Sequence, residues 1–361
     1  DGTLANTIVV AEGQSGTINL GGRVTMPGAV TGAGTLNYNV AYVRDDITGN
    51  WTGFTGTVNL GVNRASPYGT DGDFRMGNGN VSFANAKLYV GADVEVQQNY
   101  APPSSGSLET VQLVGELSGD PLGNLSGNTV AGRFTNWTVG GLNTNSTYDG
   151  LITDWTGASR LTKTGTGTLT LTNISTYTGS TTVNQGTLLL AGNISTSSMT
   201  TVLTAGTLAG TGSVGAVTID AGGTVSPGDG IGTLNATLDA TLAPGGNYNF
   251  EISDATGTAG TNWDMLSATG ALTVTATVEN PFTINLWSRS SIAPTVDGNI
   301  ANFDPAQSYA WTIAQGFGGV TGFDPSLFSV VTTASNGTGG FSNSLGAGGF
   351  SVGVSGTDLQ L

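Results

Sequence analysis

Apolar side chains alternate with threonine, asparagine and serine in short runs along most of this chain. In Thr168-Leu169-Thr170-Leu171 and in Thr35-Leu36-Asn37-Tyr38-Asn39-Val40 every second residue is apolar, which is the period of a strand with one buried face. β-Branched threonine suits the opposite, solvated face. The runs share a Gly-Thr-apolar unit at Gly16-Thr17-Ile18, Gly34-Thr35-Leu36, Gly56-Thr57-Val58, Gly167-Thr168-Leu169, Gly186-Thr187-Leu188, Gly206-Thr207-Leu208, Gly223-Thr224-Val225 and Gly232-Thr233-Leu234. Several successive copies lie 17 to 22 residues apart. So short a unit cannot enclose a core of its own, and copies must stack. The spacing predicts an all-β chain wound as a right-handed parallel β-helix, or β-solenoid, with glycine turning the corners. Ile18, Leu36, Val58, Leu169, Leu188, Leu208 and Val225 are then expected to point inward and stack in rows.

The pattern divides the chain. Residues 1–235 are expected to form the solenoid, with residues 161–235 as its most regular repeat. Interruptions such as Asn63-Arg64-Ala65-Ser66-Pro67, Thr70-Asp71-Gly72-Asp73 and Ala101-Pro102-Pro103-Ser104 read as loops inserted between coils. From residue 236 the strands lengthen and gain aromatics, as in Asn247-Tyr248-Asn249-Phe250-Glu251-Ile252, Leu272–Val278 and Phe282–Trp287. That texture predicts antiparallel pairing in a C-terminal β-rich cap over residues 236–361. At the other end, Thr7-Ile8-Val9-Val10 is a β-branched run with only Glu12 nearby as a charge. It is expected to be an exposed edge strand, and the place where the chain pairs with another copy of itself.

Composition narrows the class. Of 361 residues 59 are glycine and only 9% are charged, with no cysteine and no histidine. A disulfide scaffold, a thiolate metal site and a cysteine nucleophile are therefore excluded. The net charge of −15 and a total of nine Lys and Arg argue against nucleic acid as a partner. No apolar run is long enough for a membrane-spanning helix. The chain opens on Asp1 rather than Met, from which a mature form with its export signal removed is expected. No aromatic-girdled translocator barrel follows the repeats.

The stretch Lys163-Thr164-Gly165-Thr166-Gly167-Thr168-Leu169-Thr170-Leu171, with Tyr177-Thr178-Gly179, Thr181-Thr182-Val183 and Gly186-Thr187-Leu188, resembles the autotransporter-associated β-strand repeat of bacterial secreted and surface proteins. The resemblance covers about residues 140–235. Ser175 and Ser180 depart from it, standing where the family usually has asparagine and glycine. The resemblance implies a parallel β-helix exported from the cell, and it implies no particular activity.

Candidate chemistry is sparse. Without histidine the commonest general base is missing, so the chain is expected not to be an enzyme. A β-helical polysaccharide-active enzyme would need only carboxylates, a cation site and a basic residue. Asp71 and Asp73 with Arg75, or Asp45 and Asp46 with Arg44, are the local clusters of that kind, and salt-bridged turns explain them more simply. Trp51, Trp137 and Trp155 each follow Asn or Asp and precede Thr. They read as buried wedges, or else as an exposed row for stacking on glycans. The functional expectation is an extracellular structural protein that self-associates through Thr7, Ile8, Val9 and Val10. An adhesin or glycan-binding module, with extracellular polysaccharide as its partner, is the alternative. No catalytic, cofactor or metal residue is assigned.

Overall fold

The computed structural model describes residues 2–21, 24–40, 46–65, 72–77, 82–98, 108–292 and 295–361. Among them the regular structure is β-strand throughout, apart from one 3-10 turn at Pro325–Leu327. The chain forms two compact units, Asp1–Thr181 and Thr182–Leu361. Most strand pairs are parallel, and partners lie about one sequence repeat or more apart.

In the second unit three short strands make up each repeat. Gly206–Gly210, Ser213–Val214 and Val217–Ile219 are followed by Thr224–Pro227, Thr233–Ala236 and Ala240–Leu242, then by Asn247–Ile252, Met265–Ala268 and Leu272–Val274. Each strand pairs parallel with its counterpart in the next repeat. Stacking in register puts like on like. Leu188, Leu208, Val225, Tyr248 and Ile284 are successive partners, and all are buried. On the other face of the neighbouring strands Thr201, Thr218, Thr241, Thr273 and Thr321 form a row. Apolar surface is thereby removed from water along a continuous row that no single repeat could close.

Parallel pairing does not stop at residue 236. Asn247–Ile252 pairs parallel with Phe282–Ile292, and Leu272–Val274 with Val320–Thr321, contrary to the antiparallel expectation. Alternation reports burial of one strand face, and a parallel strand with one face inward and one outward alternates just as an antiparallel one does. Antiparallel pairs come later, where Arg289–Ile292 meets Thr295–Asp297, and where Asp358–Gln360 lies against Thr312–Gly316 and Gly353–Ser355.

The first unit has the same grammar. Ser15–Asn19, Thr35–Val40, Thr57–Val62, Phe83–Val90 and Glu109–Gly119 stack parallel in that order. Leu36, Val58, Leu88 and Leu117 are register partners and buried. Ile18 departs from the expected row. Its partner is Tyr38, with Gly16 opposite Leu36, and it is only half-buried. The first pairing joins Ser15 to Thr35, an offset of 20, whereas the two Gly-Thr units are 18 apart, so the motif slips by two. A second stack places Phe74, Val96, Leu125 and Ile152 in line, all fully buried.

Of the recurring glycines Gly186 has φ +66 and makes the left-handed turn that the sequence context suggests, whereas five others have a different task. Gly34, Gly56, Gly167, Gly206 and Gly223 are not in the positive-φ region. A Cβ on any of them would fall 1.9 to 2.3 Å from a backbone carbonyl oxygen of the adjacent repeat. Close approach of stacked backbones, rather than a left-handed turn, requires glycine here.

Candidate functional site

The N-terminal edge holds the residues singled out for self-association. Ile8–Val10 pairs parallel with Val30–Gly32 and with no other strand among the described residues. Ile8 N–H donates to Ala29 O at 2.8 Å and Gly34 N–H to Val10 O at 3.0 Å. Gly32 carries φ +107, and a Cβ there would lie 2.1 Å from Val10 O. Thr7 is exposed and Ile8 half-buried, while Val10 is buried and Val9 is 69% exposed. Val9 therefore offers an apolar side chain to solvent on a strand that is paired along one edge among the described residues. A groove of about 420 Å³ runs beside it, lined by Leu4, Ile8, Val9, Val10, Ile18 and Leu36 among others.

Next to this strand Ser15–Asn19 pairs only with Thr35–Val40 among the described residues. Its outward side chains begin an amide ladder. Asn59 Nδ2 donates to Asn37 Oδ1 at 2.9 Å, Asn37 Nδ2 to Ser15 Oγ at 3.1 Å, and Asn39 Nδ2 to Asn19 Oδ1 at 2.8 Å. Every donor in the ladder points toward the lower-numbered strand, and Asn19 is exposed at its end.

The other sequence candidates are scattered. Arg44, Asp45 and Asp71 lie outside the described residues, as does the side chain of Asp46. Asp73 and Arg75 form an ion pair at 3.5 Å. Among the described residues no group of three or more His, Cys, Asp or Glu could hold a metal ion. Trp51 and Trp137 are buried and Trp155 is 49% exposed, so the three do not form a row. The residue that precedes the tryptophan also has different partners at Trp51 and Trp155. Asn50 Oδ1 accepts from Thr52 N–H, while Asp154 Oδ1 accepts from Ser159 N–H.

Burial of four ionisable residues, Lys163, Glu251, Asp264 and Arg289, is not marked by any motif in the sequence. Lys163 is buried, at the inward end of the alternating strand Ala158–Lys163. Its ammonium donates to Thr164 O at 2.7 Å and Gly165 O at 2.8 Å, clamping a turn in which Gly165 has φ +69. Burial pushes this ammonium down to about 8, because loss of hydration disfavours the charged form. In the second unit Arg289 donates to Glu251 at 2.6 Å and pairs with Asp297, its guanidinium 3.3 Å from the centre of the Trp287 ring. Asp264 is fully buried and accepts from Gly232 N–H and Glu251 N–H, each at 2.9 Å. Burial, and after it the charge of Glu251, hold this carboxyl well above the usual range. The signal for each was an ionisable residue at a position whose alternation points inward. Arg289 is also the only Lys or Arg after residue 163.

Residues 161–190 match the family model of the passenger-associated-transport-repeat. This segment is similar to a passenger-associated-transport-repeat. Lys163 and the Gly167-Thr168-Leu169 and Gly186-Thr187-Leu188 units lie within it. Two curated relatives, both named extracellular serine protease and both from Serratia marcescens, are similar to the chain. One is 33% identical over 190 residues, which is 52% of this chain and 17% of the relative. The other is 32% identical over 189 residues, 50% of this chain and 17% of the relative. The match thus spans about one-sixth of the length of these relatives.

Proposed function

We propose that this chain is an extracellular structural segment, wound as a right-handed parallel β-helix, that joins further copies of itself through the edge made by Ile8–Val10 and Ser15–Asn19. In-register parallel stacking of successive repeats supports the winding, and right-handed crossovers are the rule for parallel strands. The antiparallel strands near the C-terminus, Thr312–Gly316, Gly353–Ser355 and Asp358–Gln360, serve as the cap of the second unit. The passenger repeat and the relatives' names support export from the cell.

The composition supports a structural rather than catalytic reading. The relatives are named as serine proteases, but a Ser-His-Asp constellation needs an imidazole, and these 361 residues contain none. Protease activity is therefore not carried over to this segment.

The observation that carries self-association is the one-sided pairing of Ile8–Val10 with Val9 exposed. A second copy adding a strand there satisfies backbone groups that are already ordered, so little entropy is lost. The terminal Asn19 amide extends the ladder across the junction. Net charge −15 opposes contact between copies, and salt screens that repulsion. Sedimentation velocity tests this: the intact protein should form species larger than the monomer, increasingly so as salt is raised. Val9→Lys puts a charge on an exposed edge position without touching the core, and should return the protein to monomer, as should deletion of residues 1–12. An intact protein that stays monomeric at high concentration and high salt contradicts the proposal.

A further inference from the structure

The second unit carries a concave aromatic surface that the edge association leaves unused. A groove of about 370 Å³ is lined by Phe303, Tyr309, Trp311, Phe350, Gln307 and Ser351, among other residues. Its rings form a graded stack. Phe303 and Tyr309 lie 5.5 Å apart at 23°, Tyr309 and Trp311 5.6 Å apart at 16°, and Trp311 and Phe350 6.1 Å apart at 38°. The stack is held by the backbone. Trp311 Nε1 donates to Ala255 O at 2.9 Å, while the Tyr309 hydroxyl donates to Asn302 O at 3.1 Å and accepts from Asp304 N–H at 2.8 Å. A ligand meeting these rings would find them preorganised.

The lining contains no Lys, Arg, Asp or Glu. The neighbouring Asp304 carboxylate is turned to its own loop, accepting from Ala306 N–H at 2.9 Å. An anionic ligand would find no cation here, and a cationic one no carboxylate among the lining side chains. What the groove does offer is a mainly polar wall that includes the Gln307 amide and the Ser351 hydroxyl, both exposed and neither bonded to any described residue, beside the half-buried rings of Phe303, Tyr309 and Phe350, with Trp311 buried behind them. A pyranose presents the matching surfaces, with one face of C–H groups for stacking on rings and a rim of hydroxyls that need amide and hydroxyl partners. The volume lies within the ligand-pocket range and has room for about two sugar rings.

We propose that this groove is a binding site for a neutral oligosaccharide. Aromatic recognition of glycans thus belongs to the half-buried Phe303, Tyr309 and Phe350, and the buried Trp311 backs them. The sequence context had pointed instead to Trp51, Trp137 and Trp155, the first two of which are enclosed in the core. The site is independent of the N-terminal edge, and either can fail without the other.

Isothermal titration of the full chain with cellohexaose, maltohexaose and chitohexaose tests it. Choline, an oligogalacturonate and a proline-rich peptide serve as cationic, anionic and peptide probes. At least one neutral oligosaccharide should bind saturably. Phe350→Ala should weaken it about tenfold, and Gln307→Ala by a smaller factor, while Trp155→Ala leaves it unchanged. Phe350 packs on Phe341 at 5.1 Å, so Gln307→Ala, at an exposed position, keeps the test valid if the Phe350 variant is poorly folded. The proposal is overturned if no neutral oligosaccharide binds or if binding is indifferent to both groove variants. Tighter binding of any of the other three probes also overturns it.

Discussion

Lys163 occupies an inward position in a strand whose other inward residues are Ser159 and Leu161. A buried ammonium is costly to desolvate and is tolerated where its donors are satisfied. Here two consecutive carbonyls of the turn take them. With the ammonium at about 8 instead of the ordinary 10.5, the unfolded chain holds a proton between those values that the folded chain has released. Stability therefore rises with pH across that window, and below about pH 8 the desolvation cost is fully present. The urea midpoint of the intact protein should climb between pH 8 and 10.5 relative to Lys163→Met, in which this contribution is gone. Parallel pH profiles for the two proteins would contradict the assignment.

At the scale of elements, Arg289 ties strand Phe282–Ile292 to its parallel neighbour through Glu251 and to its antiparallel neighbour through Asp297. Arg289→Met would leave Glu251 buried without its cation, close to the buried Asp264. Removing one member of such a pair costs about 3–5 kcal/mol, and the thermal midpoint should fall accordingly. A variant as stable as the intact protein would show that the cluster is not a structural tie. The sequence revealed these strands unequally. Gly-Thr-apolar units marked Leu36, Val58, Leu169, Leu188, Leu208 and Val225 because inward residues alternate wherever one face is buried. The same alternation carries no information on strand direction, which is why Asn247–Ile252 read as antiparallel. Register was legible only to within a slip of two residues, as Ile18 shows, because the motif says nothing about which of its copies lie side by side. The edge strand Ile8–Val10 announced itself by β-branching and lack of charge. The aromatic groove did not, since Phe303, Tyr309, Trp311 and Phe350 sit in largely irregular chain and share no period. Only folding brings them together.

At the scale of the molecule, low charge density and an acidic balance favour a soluble surface exposed to solvent on every repeat. Stability comes from rows that grow with each repeat rather than from a disulfide. The stacking underlies the proposed self-association, because the edge strand, the amide ladder and the threonine row all depend on register. Spin labels read that register directly, and a chain without cysteine permits clean labelling. Thr201 and Thr321 are separated by four successive register steps, through Thr218, Thr241 and Thr273. At about 4.8 Å per step their Cα atoms should lie about 19 Å apart. Cysteines placed at Thr201 and Thr321 and labelled with nitroxides should therefore give one narrow electron–electron distance distribution near that value, broadened by the label arms. The Thr201 and Thr273 pair should give a distribution about one step shorter. A broad distribution, or a separation of about 35 Å or more between Thr201 and Thr321, would mean that the repeats are not stacked in parallel register and would contradict the account.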